Sequence, residues 1–451
     1  MTGMEAKKFV RGLFLKTLPH LAVGPKMKQM VRLREGGLEI QGDRIPLHPG
    51  RPVRVVAMGK AAIEMTHTLA ELLPDVRLRG VVAAPALPEF PLPGFDYFAG
   101  GHPYPNEESW RAAEAALTLL DQRNVSEDDL VIFLISGGGS SLFELPAKWI
   151  ISNVGYPPSP SPLVSLESLQ KFYELLVTCG MNIQEMNTLR KHFSAVKGGG
   201  LAHVAWPARQ VTLYVSDVPD HSPAFIASGP SMSDESTLED CEWIITRYSL
   251  EGKLPLPYRN FWDLRVDETP RSEDFMRSLF YSVLSNGGAV EKLAELAERA
   301  GIVVEIDCRC DDWPYEKASA YLLEKLAELR PENPGKPVAI ISGGELSCSV
   351  TGAGMGGRNQ AFVLDCVPKI AGTSTVVLSA GTDGGDGNSP AAGAIADGET
   401  LERARALQMD PQDYQRRSDS FHFFEKLEDA ILTGPTGTNV RDVRILLSYP
   451  E

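Results

Sequence analysis

The sequence contains no run of about 18 consecutive apolar residues, the length that a membrane-spanning helix requires. We therefore expect no membrane span. Residues 1–24 also lack the continuous apolar block and the small-residue cleavage site of a secretion signal, because Arg11 and Lys16 interrupt the apolar stretch. Together these absences favour a cytoplasmic protein.

Cysteine is scarce, with six residues among 451, and none belongs to a CxxC pair. A zinc site built on such pairs is therefore not expected. Scattered thiols suit a reducing compartment, in which most of them act as small core residues. The six are Cys179, Cys241, Cys308, Cys310, Cys348 and Cys366.

Positive charge is in deficit, since 44 Lys and Arg residues face 59 Asp and Glu residues and the formal net charge is −15. This balance argues against nucleic acid or an anionic membrane as a partner, because both need a basic face. A small anionic substrate is still allowed, since a few local cations are enough to bind it. We expect small-molecule partners and a monomer or a homodimer.

Short apolar runs rich in β-branched residues recur along the chain, with helical patterns between them. Continuous runs of this length are typical of strands buried on both faces of a parallel sheet. Trp110–Arg123, with Asn106 as its N-cap, and Val290–Ala300 have helical spacing. The alternation predicts an α/β fold with a doubly wound sheet. The runs are Val53–Met58, Val81–Ala84, Leu130–Ile135, Val211–Ser216, Ile302–Ile306, Val338–Ser342 and Thr375–Ala380.

A length of 451 residues exceeds one ordinary core, so more than one domain is expected. Glu251–Phe275 is rich in proline and charge and lacks a clear period. We place the domain boundary at its start, which gives domains 1–250 and 251–451. A second proline-rich stretch, Tyr156–Pro162, is predicted to be an exposed loop.

Polar and glycine-rich segments follow four of the predicted strands. In open α/β sheets, ligands bind beyond the carboxyl ends of the strands. The segments therefore predict an active site at one edge of a sheet. They are Ser136–Ser141, Asp217–Asp220, Gly343–Glu345 and Gly381–Gly387.

The first of these segments has the composition of an anion cradle. Glycines let backbone N–H groups approach an anion, and serines add hydroxyl donors. The alternative is a flexible tight turn, and no Walker-type G-x-x-x-x-G-K-[ST] motif occurs. Lys60, which follows Gly59 after a predicted strand, either meets an anion or lies on the first turn of a helix. The cradle residues are Gly137, Gly138, Gly139, Ser140 and Ser141.

Gly352–Gly357 formally matches the dinucleotide-binding pattern G-x-G-x-x-G. The acidic residue expected about 20 positions further on is missing, so this reading is not favoured. Arg358 and Asn359 follow directly. A planar guanidinium there matches the oxygens of a transferring phosphoryl group, although a surface ion pair is the alternative.

Asp383 and Asp386 lie three positions apart in a glycine-rich loop. Such hard oxygen ligands suit Mg²⁺, which bridges nucleotide phosphates, but the same pattern is common in plain turns. Further acids at strand ends are Asp217 and Glu345. A polar cluster either binds substrate or forms a solvated helix face, and it contains Asn187, Arg190 and Lys197.

Several motifs together resemble the class II glycerate kinases, also called the MOFRL family, over nearly the whole chain. Their order and number make the resemblance far more specific than any single motif. The stretches are VVAMGKAA (Val55–Ala62), LISGGGSSLFELP (Leu134–Pro146), EMNTLRKHFSAVKGGGLA (Glu185–Ala202), SDVPDHSPAFIASGP (Ser216–Pro230), GGELSCSVTGAGMGGRNQ (Gly343–Gln360), GTDGGDGNSPAAGAIAD (Gly381–Asp397) and TGPTGTNVRD (Thr433–Asp442).

The resemblance implies a Rossmann-like N-terminal domain and a smaller C-terminal α/β domain, with the active site in the cleft between them. It implies ATP-dependent phosphorylation of D-glycerate, usually at the 2-hydroxyl, with Mg²⁺. It suggests Lys60 and Arg358 as the catalytic residues. We assign to Asp217 the orientation of the acceptor hydroxyl.

The sequence departs from the family pattern at a few positions. Ala361 replaces the usual Glu, Pro390 replaces an expected Asp, and His221 stands where an acid is common. Two other functions stay open. A hydroxypyruvate reductase would oxidise NADH, whereas a non-catalytic module would bind a sugar acid or nucleotide without turnover.

Overall fold

The computed structural model describes residues 3–121, 123, 125–147, 165–219, 222–256, 258–259, 268–271 and 275–450. The predicted loop Tyr156–Pro162 and the departure at His221 lie outside the described residues. The chain forms two compact units. The continuous unit is Val23–Val283, and the discontinuous unit joins Met1–Ala22 to Leu284–Glu451.

The described strands all lie in three sheets. They are β1 (Val31–Arg34), β2 (Gly37–Ile40), β3 (Asp43–Pro46), β4 (Val53–Met58), β5 (Leu78–Ala84), β6 (Phe95–Ala99), β7 (Leu130–Ile135), β8 (Arg209–Val215), β9 (Ser278–Leu284), β10 (Val303–Ile306), β11 (Val338–Gly343), β12 (Thr375–Gly381), β13 (Gly393–Asp397), β14 (Ala430–Ile431) and β15 (Asp442–Ser448).

Helices connect most of these strands. They are α1 (Gly3–Thr17), α2 (Val23–Met30), α3 (Ala62–Leu72), α4 (Glu107–Leu119), α5 (Gly139–Leu142), α6 (Leu166–Thr178), α7 (Ile183–His192), α8 (Gly200–Val204), α9 (Leu238–Arg247), α10 (Asn286–Arg299), α11 (Tyr315–Glu332), α12 (Arg358–Cys366), α13 (Thr400–Ala406), α14 (Pro411–Arg416) and α15 (Ser420–Lys426), with 3₁₀ helices at Leu18–Leu21 and Pro223–Ser228. Within the described part of the chain, none of these helices is long and apolar enough to cross a bilayer.

The continuous unit contains the predicted doubly wound sheet, which confirms the α/β class. Its strand order is β6–β5–β4–β7–β8–β9, and the pairs from β6 to β8 are parallel. The order reverses between β4 and β7, and ligands of such sheets bind in the crevice at this reversal. Every residue of β7 is buried, as its continuous apolar sequence predicts. A small antiparallel sheet, β1–β2–β3, belongs to the same unit.

The discontinuous unit contains a mixed sheet with the order β10–β11–β15–β12–β13–β14. The apolar runs at β11 and β12 were expected in a parallel sheet, but β15 lies between them and is antiparallel to both. Strand β15 was not predicted, because Arg444 interrupts its apolar run. The Arg444 side chain is fully buried, and its Nη2 donates to the Gly344 carbonyl at 2.8 Å.

Helix α1 is part of the discontinuous unit, because it packs on α10, β12 and β13. Its Lys7 Nζ lies 2.7 Å from Asp429 Oδ2 and 3.3 Å from Asp397 Oδ2. At the other junction, β9 completes the sheet of the continuous unit. The two units therefore do not coincide with the predicted domains 1–250 and 251–451.

We expect Lys7→Met to destabilise the discontinuous unit. Asp397 and Asp429 are almost completely buried, and removing a buried partner typically costs 3–5 kcal/mol. Because Arg403 still contacts Asp429, we expect the lower end, about 3 kcal/mol. Hydrogen exchange of the β12 and β13 amides measures the loss. Lys8→Met is the matched control, since Lys8 is exposed, and equal exchange in the two variants would contradict the expectation.

Candidate functional site

The turns after β4 and β7 lie side by side at the reversal of strand order. The backbone N–H of Lys60 donates to the Gly137 carbonyl at 2.9 Å, and that of Ala61 donates to Ser136 Oγ at 3.0 Å. Gly138 has a φ of +83°, a conformation that favours glycine, and α5 starts directly after it. The predicted cradle is therefore an ordered turn fixed to the turn that carries Lys60.

Lys60 and His102 both lie close to Gly138. A Cβ atom added to Gly138 would lie 3.5 Å from Lys60 carbons and 3.6 Å from His102 Cε1. His102 follows β6, and its Nδ1 is 3.1 Å from Ser141 Oγ. Partial burial and the Lys60 charge both lower the pKa of His102. The imidazole is therefore neutral at pH 7, and Lys60 supplies positive charge at this turn.

Asp217, which follows β8, lies against the same turn. A Cβ atom added to Gly137 would come within 2.0 Å of Asp217 Oδ2. Only glycine at this position lets the carboxylate approach the backbone so closely. The structure thus brings the predicted acid Asp217 to the predicted cradle.

Helix α7 is linked to the cradle indirectly, through Ser228 and through Tyr173. Ser140 Oγ is 2.8 Å from Ser228 Oγ, which in turn donates to Asn187 Oδ1 at 3.0 Å. The guanidinium of Arg190 lies 5.0 Å from the centre of the Tyr173 ring, and Tyr173 donates its hydroxyl to the Ser140 carbonyl at 2.9 Å. Among the described residues, the buried Nε of Arg190 has no hydrogen-bond partner.

Lys197 was predicted to bind substrate, but its side chain is 1% exposed and pairs with Glu144. Glu144 also accepts a hydrogen bond from Ser194 Oγ at 2.6 Å. Burial lowers the pKa of Lys197, while the Glu144 charge opposes this shift. The placement favours a structural role for Lys197 over direct contact with a ligand.

In the discontinuous unit, Arg358 is the first residue of α12 and makes a fork-like contact with Asp442. Its Nε lies 2.5 Å from Asp442 Oδ2 and its Nη2 3.1 Å from Oδ1, while Nη2 also lies 2.9 Å from Glu345 Oε1. Burial would lower the pKa of Arg358, but the hydrogen bonds and charge of Asp442 outweigh burial and raise it. About a third of the side chain is exposed, so this oriented cation is accessible.

Glu345 follows β11, as predicted, and is held by its backbone as well as by Arg358. Its N–H donates to Asp311 Oδ1 at 3.0 Å, and Asp311 is itself paired with Arg441. Burial raises the pKa of Glu345, and the charge of Arg358 opposes this shift.

Asp383 and Asp386 were predicted as a pair of magnesium ligands, but their environments differ. Asp383 is exposed, and its Oδ1 accepts a hydrogen bond from the Gly385 N–H at 3.0 Å. Asp386 is buried, and its oxygens accept hydrogen bonds from the backbones of Asn359 and Gln360. Burial raises the pKa of Asp386 to about 6, against the effect of these bonds. Among the described residues, no group of three or more His, Cys, Asp or Glu side chains could hold a metal ion.

Two residues of these sites, His102 and Asp442, were not predicted from the sequence. His102 follows β6, whose sequence FDYFA contains a charged residue and does not form a continuous apolar run. Asp442 begins β15, which the buried Arg444 concealed. Both residues lie next to or at a strand terminus, His102 after β6 and Asp442 at the start of β15. This position indicates a site residue only when the strand itself has been recognised.

We expect Lys60→Met to raise the pKa of His102, because the variant removes the neighbouring positive charge. NMR titration of the imidazole measures this shift, and in the unmodified protein His102 should titrate below about 6.5, its ordinary value. Lys28→Met is the control, since Lys28 is exposed and pairs with Glu71. An unchanged titration in Lys60→Met would show that Lys60 does not face His102.

The sequence models of two families match the chain. Residues 9–262 match "Domain of unknown function (DUF4147)", and residues 338–442 match the MOFRL family. Together these matches include the cradle, Arg358 and Asp386.

Proteins similar to this chain extend over most of its length. A D-glycerate 2-kinase of Thermotoga maritima is 37% identical over 398 residues, which cover 87% of this chain and 90% of that protein. A "Putative hydroxypyruvate reductase" of Agrobacterium vitis is 35% identical over 412 residues, which cover 90% of this chain and 89% of that protein. The crystal structure of a glycerate kinase from Thermotoga maritima has a TM-score of 0.82 at 32% identity, with 99% of this chain and 100% of that chain covered.

Proposed function

Because the chain belongs to the MOFRL family of glycerate kinases, we propose that this enzyme transfers the γ-phosphoryl group of ATP to D-glycerate, at the 2-hydroxyl. The relative named D-glycerate 2-kinase supports the position of transfer. The alternative product is 3-phosphoglycerate, which has the same mass and requires a direct structural assignment of the product.

The arrangement around Gly138 is the observation that carries this proposal. A glycine turn at the reversal of strand order, with Lys60 on one side and Asp217 close by, fits an anionic hydroxy acid or phosphate. Arg190 stacks on Tyr173, which is bonded to this turn, and its Nε is a donor without a partner among the described residues. Such a turn combines positive charge, hydroxyl donors and an acid that can orient an acceptor hydroxyl.

Phosphoryl transfer needs positive charge around the moving group, because its transition state spreads negative charge over the equatorial oxygens. We assign this charge to two accessible cations, Lys60 and Arg358. The guanidinium of Arg358 is already oriented by Asp442 and Glu345, so little reorganisation is needed when it meets phosphate. We assign to Asp217 the role of orienting the acceptor hydroxyl and accepting its proton.

Of the two predicted magnesium ligands, only Asp383 has an environment that suits Mg²⁺. Mg²⁺ usually keeps several waters and takes only one or two carboxylates in addition to substrate phosphates. The exposed Asp383 at the end of β12 would suit this role, whereas both oxygens of Asp386 are occupied by N–H donors. When bound, Mg²⁺ would neutralise charge on the nucleotide phosphates.

The reductase alternative has little support from the geometry. A dinucleotide-binding G-x-G-x-x-G follows a strand directly, but β11 ends at Gly343, well before Gly352–Gly357. Gly352 and Gly354 instead pack against the backbone of Arg417. The segment does lead into a helix, α12, but no ribose-binding acid follows in β12.

The proposal predicts ADP release from ATP with D-glycerate, and a phosphorus NMR spectrum that places the phosphate on the 2-oxygen. A panel of hydroxy acids should show glycerate as the best acceptor. NADH oxidation with hydroxypyruvate, without ADP release, would replace the kinase by the reductase. Binding of both substrates without turnover of either kind would instead indicate the non-catalytic module.

Lys60→Ala and Arg358→Ala should each lower kcat by about 10²–10³-fold, the typical loss for one donor of a charge-stabilising site. Lys60→Ala should keep its melting temperature, since that side chain is exposed. Arg358→Ala should also lose stability, because it leaves the buried Asp442 unpaired. Arg358→Lys should recover little activity if the contact with phosphate is a fork.

Lys28→Ala and Arg32→Ala remove exposed cations elsewhere and serve as controls. They should retain full activity. If Lys60→Ala or Arg358→Ala keeps more than about a third of kcat, the assignment of these cations to the transferred group fails.

A further inference from the structure

We infer that Asp386 is a positioning residue that fixes the first turn of α12 and thereby orients Arg358. The inference rests on the proposed phosphoryl transfer for its effect on rate, but its geometry stands within one unit of the protein. It also replaces the predicted role of Asp386 as a magnesium ligand.

The first turn of α12 lacks a cap of its own. The first N–H groups of any helix have no partner inside the helix, and a side chain of the preceding residue usually accepts one of them. Here the preceding residue is Gly357, which has no side chain. Asp386 replaces the missing cap from a distant loop, accepting hydrogen bonds from the N–H of Asn359 at 3.1 Å and that of Gln360 at 2.9 Å.

Side chains of the same turn donate further hydrogen bonds to Asp386. Gln360 Nε2 donates to Oδ2 at 3.0 Å, and Asn359 Nδ2 approaches Oδ1 at 3.4 Å. The amide oxygen of Asn359, Oδ1, accepts a hydrogen bond from Ser379 Oγ of β12 at 2.5 Å. The helix start is therefore tied both to the Asp386 loop and to the central strand of the sheet.

A buried carboxylate suits this position electrostatically. Asp386 is only 3% exposed, so water does not screen its interaction with the partial positive charge at the helix N-terminus. Both of its oxygens are already in contact with N–H donors. With the side-chain amides of Asn359 and Gln360, four donors approach the carboxylate, so a metal ion would compete with them for its lone pairs.

Arg358 is the first residue of the helix that Asp386 caps. Its guanidinium is held at the far end by Asp442 and Glu345, while its backbone is held by the capped turn. If the turn frays, the guanidinium loses one of its two anchors. A displacement of about 1 Å in a positioning group can lower a rate by about 10²-fold.

The test compares Asp386→Asn with Asp383→Asn in the full-length enzyme. Asp386→Asn keeps the shape but replaces one acceptor oxygen by a donor, so it should lower kcat by about 10–100-fold. The concentration of Mg²⁺ that gives half-maximal activity should stay within twofold of the wild type, and the amides of Asn359 and Gln360 should exchange faster with solvent. Asp383→Asn should show the opposite pattern, with an altered Mg²⁺ requirement and unchanged amide exchange in α12.

A second comparison tests whether Asp386 acts through Arg358. Arg358→Lys is the appropriate background, because lysine keeps a positive charge beside Asp442. In that background, Asp386→Asn should add less than twofold to the loss in kcat. If the losses multiply, or if excess Mg²⁺ restores the activity of Asp386→Asn, the positioning role is wrong.

Gln360→Leu covers the case in which Asp386→Asn does not fold. It removes one side-chain donor and leaves both backbone donors. We therefore expect a smaller fall in kcat than in Asp386→Asn and slightly faster amide exchange in the first turn of α12. Unchanged kcat and exchange in this variant would contradict the inference. The exchange readout also separates the two proposals, since a wild-type enzyme without ADP release would refute the kinase while the exchange data still test the cap.

Discussion

Two hydrogen bonds between neighbouring turns hold the site of the continuous unit together. They join the turn after β4 to the turn after β7, through the Gly137 carbonyl and Ser136 Oγ. Because β4 and β7 are adjacent and parallel, their carboxyl ends meet at one edge, and the turns must share that space. Lys60 and the cradle take their places from this contact, and His102 reaches the cradle through Ser141 Oγ. A charged side chain is thus held beside a glycine turn by one hydrogen bond between backbone groups and one that the Ser136 hydroxyl accepts.

The discontinuous unit differs, because charged side chains are buried in and near its strands and each needs a partner. Asp386, Asp442 and Arg444 are each at most 3% exposed. Burial of a charge is costly unless it is paired or fully hydrogen-bonded. Asp442 is paired with Arg358, and Asp386 receives N–H donors. Arg444 donates through Nη2 to carbonyls at the end of β11, while its Nε and Nη1 have no partner among the described residues. These charges fix loops that apolar packing alone could place in several ways.

Most of the central strands could be predicted from the sequence, and some peripheral ones could not. The bounds of β4 and β7 agree with the predicted runs, and Asn106 caps α4 as expected, because these features depend on local sequence. Strand β15 was hidden by Arg444, since a buried arginine looks like a surface residue in a sequence pattern. Strand β6 was hidden by its charged residue.

The candidate site could be predicted where a signal is contained in one short segment. The glycine turn and Lys60 were identified because each directly follows a recognised strand. Sequence spacing could not distinguish Asp383 from Asp386, since it counts carboxylates but does not reveal which one is buried. Lys197 looked like an accessible cation for the same reason, and its partner Glu144 is 53 positions away.

The discontinuous unit also has a consequence for synthesis on the ribosome. Helix α1 leaves the ribosome before the whole continuous unit, while β12 and β13, on which it packs, are made after that unit. At about 5–20 residues per second, the helix waits roughly tens of seconds for its partners. During this interval the apolar face of the helix, which includes Val10 and Phe14, lacks the contacts that β12 and β13 provide, so a helix made before the continuous unit is secured only after it. We therefore expect a nascent chain to expose part of this apolar face even after the continuous unit has folded, and such surface favours aggregation.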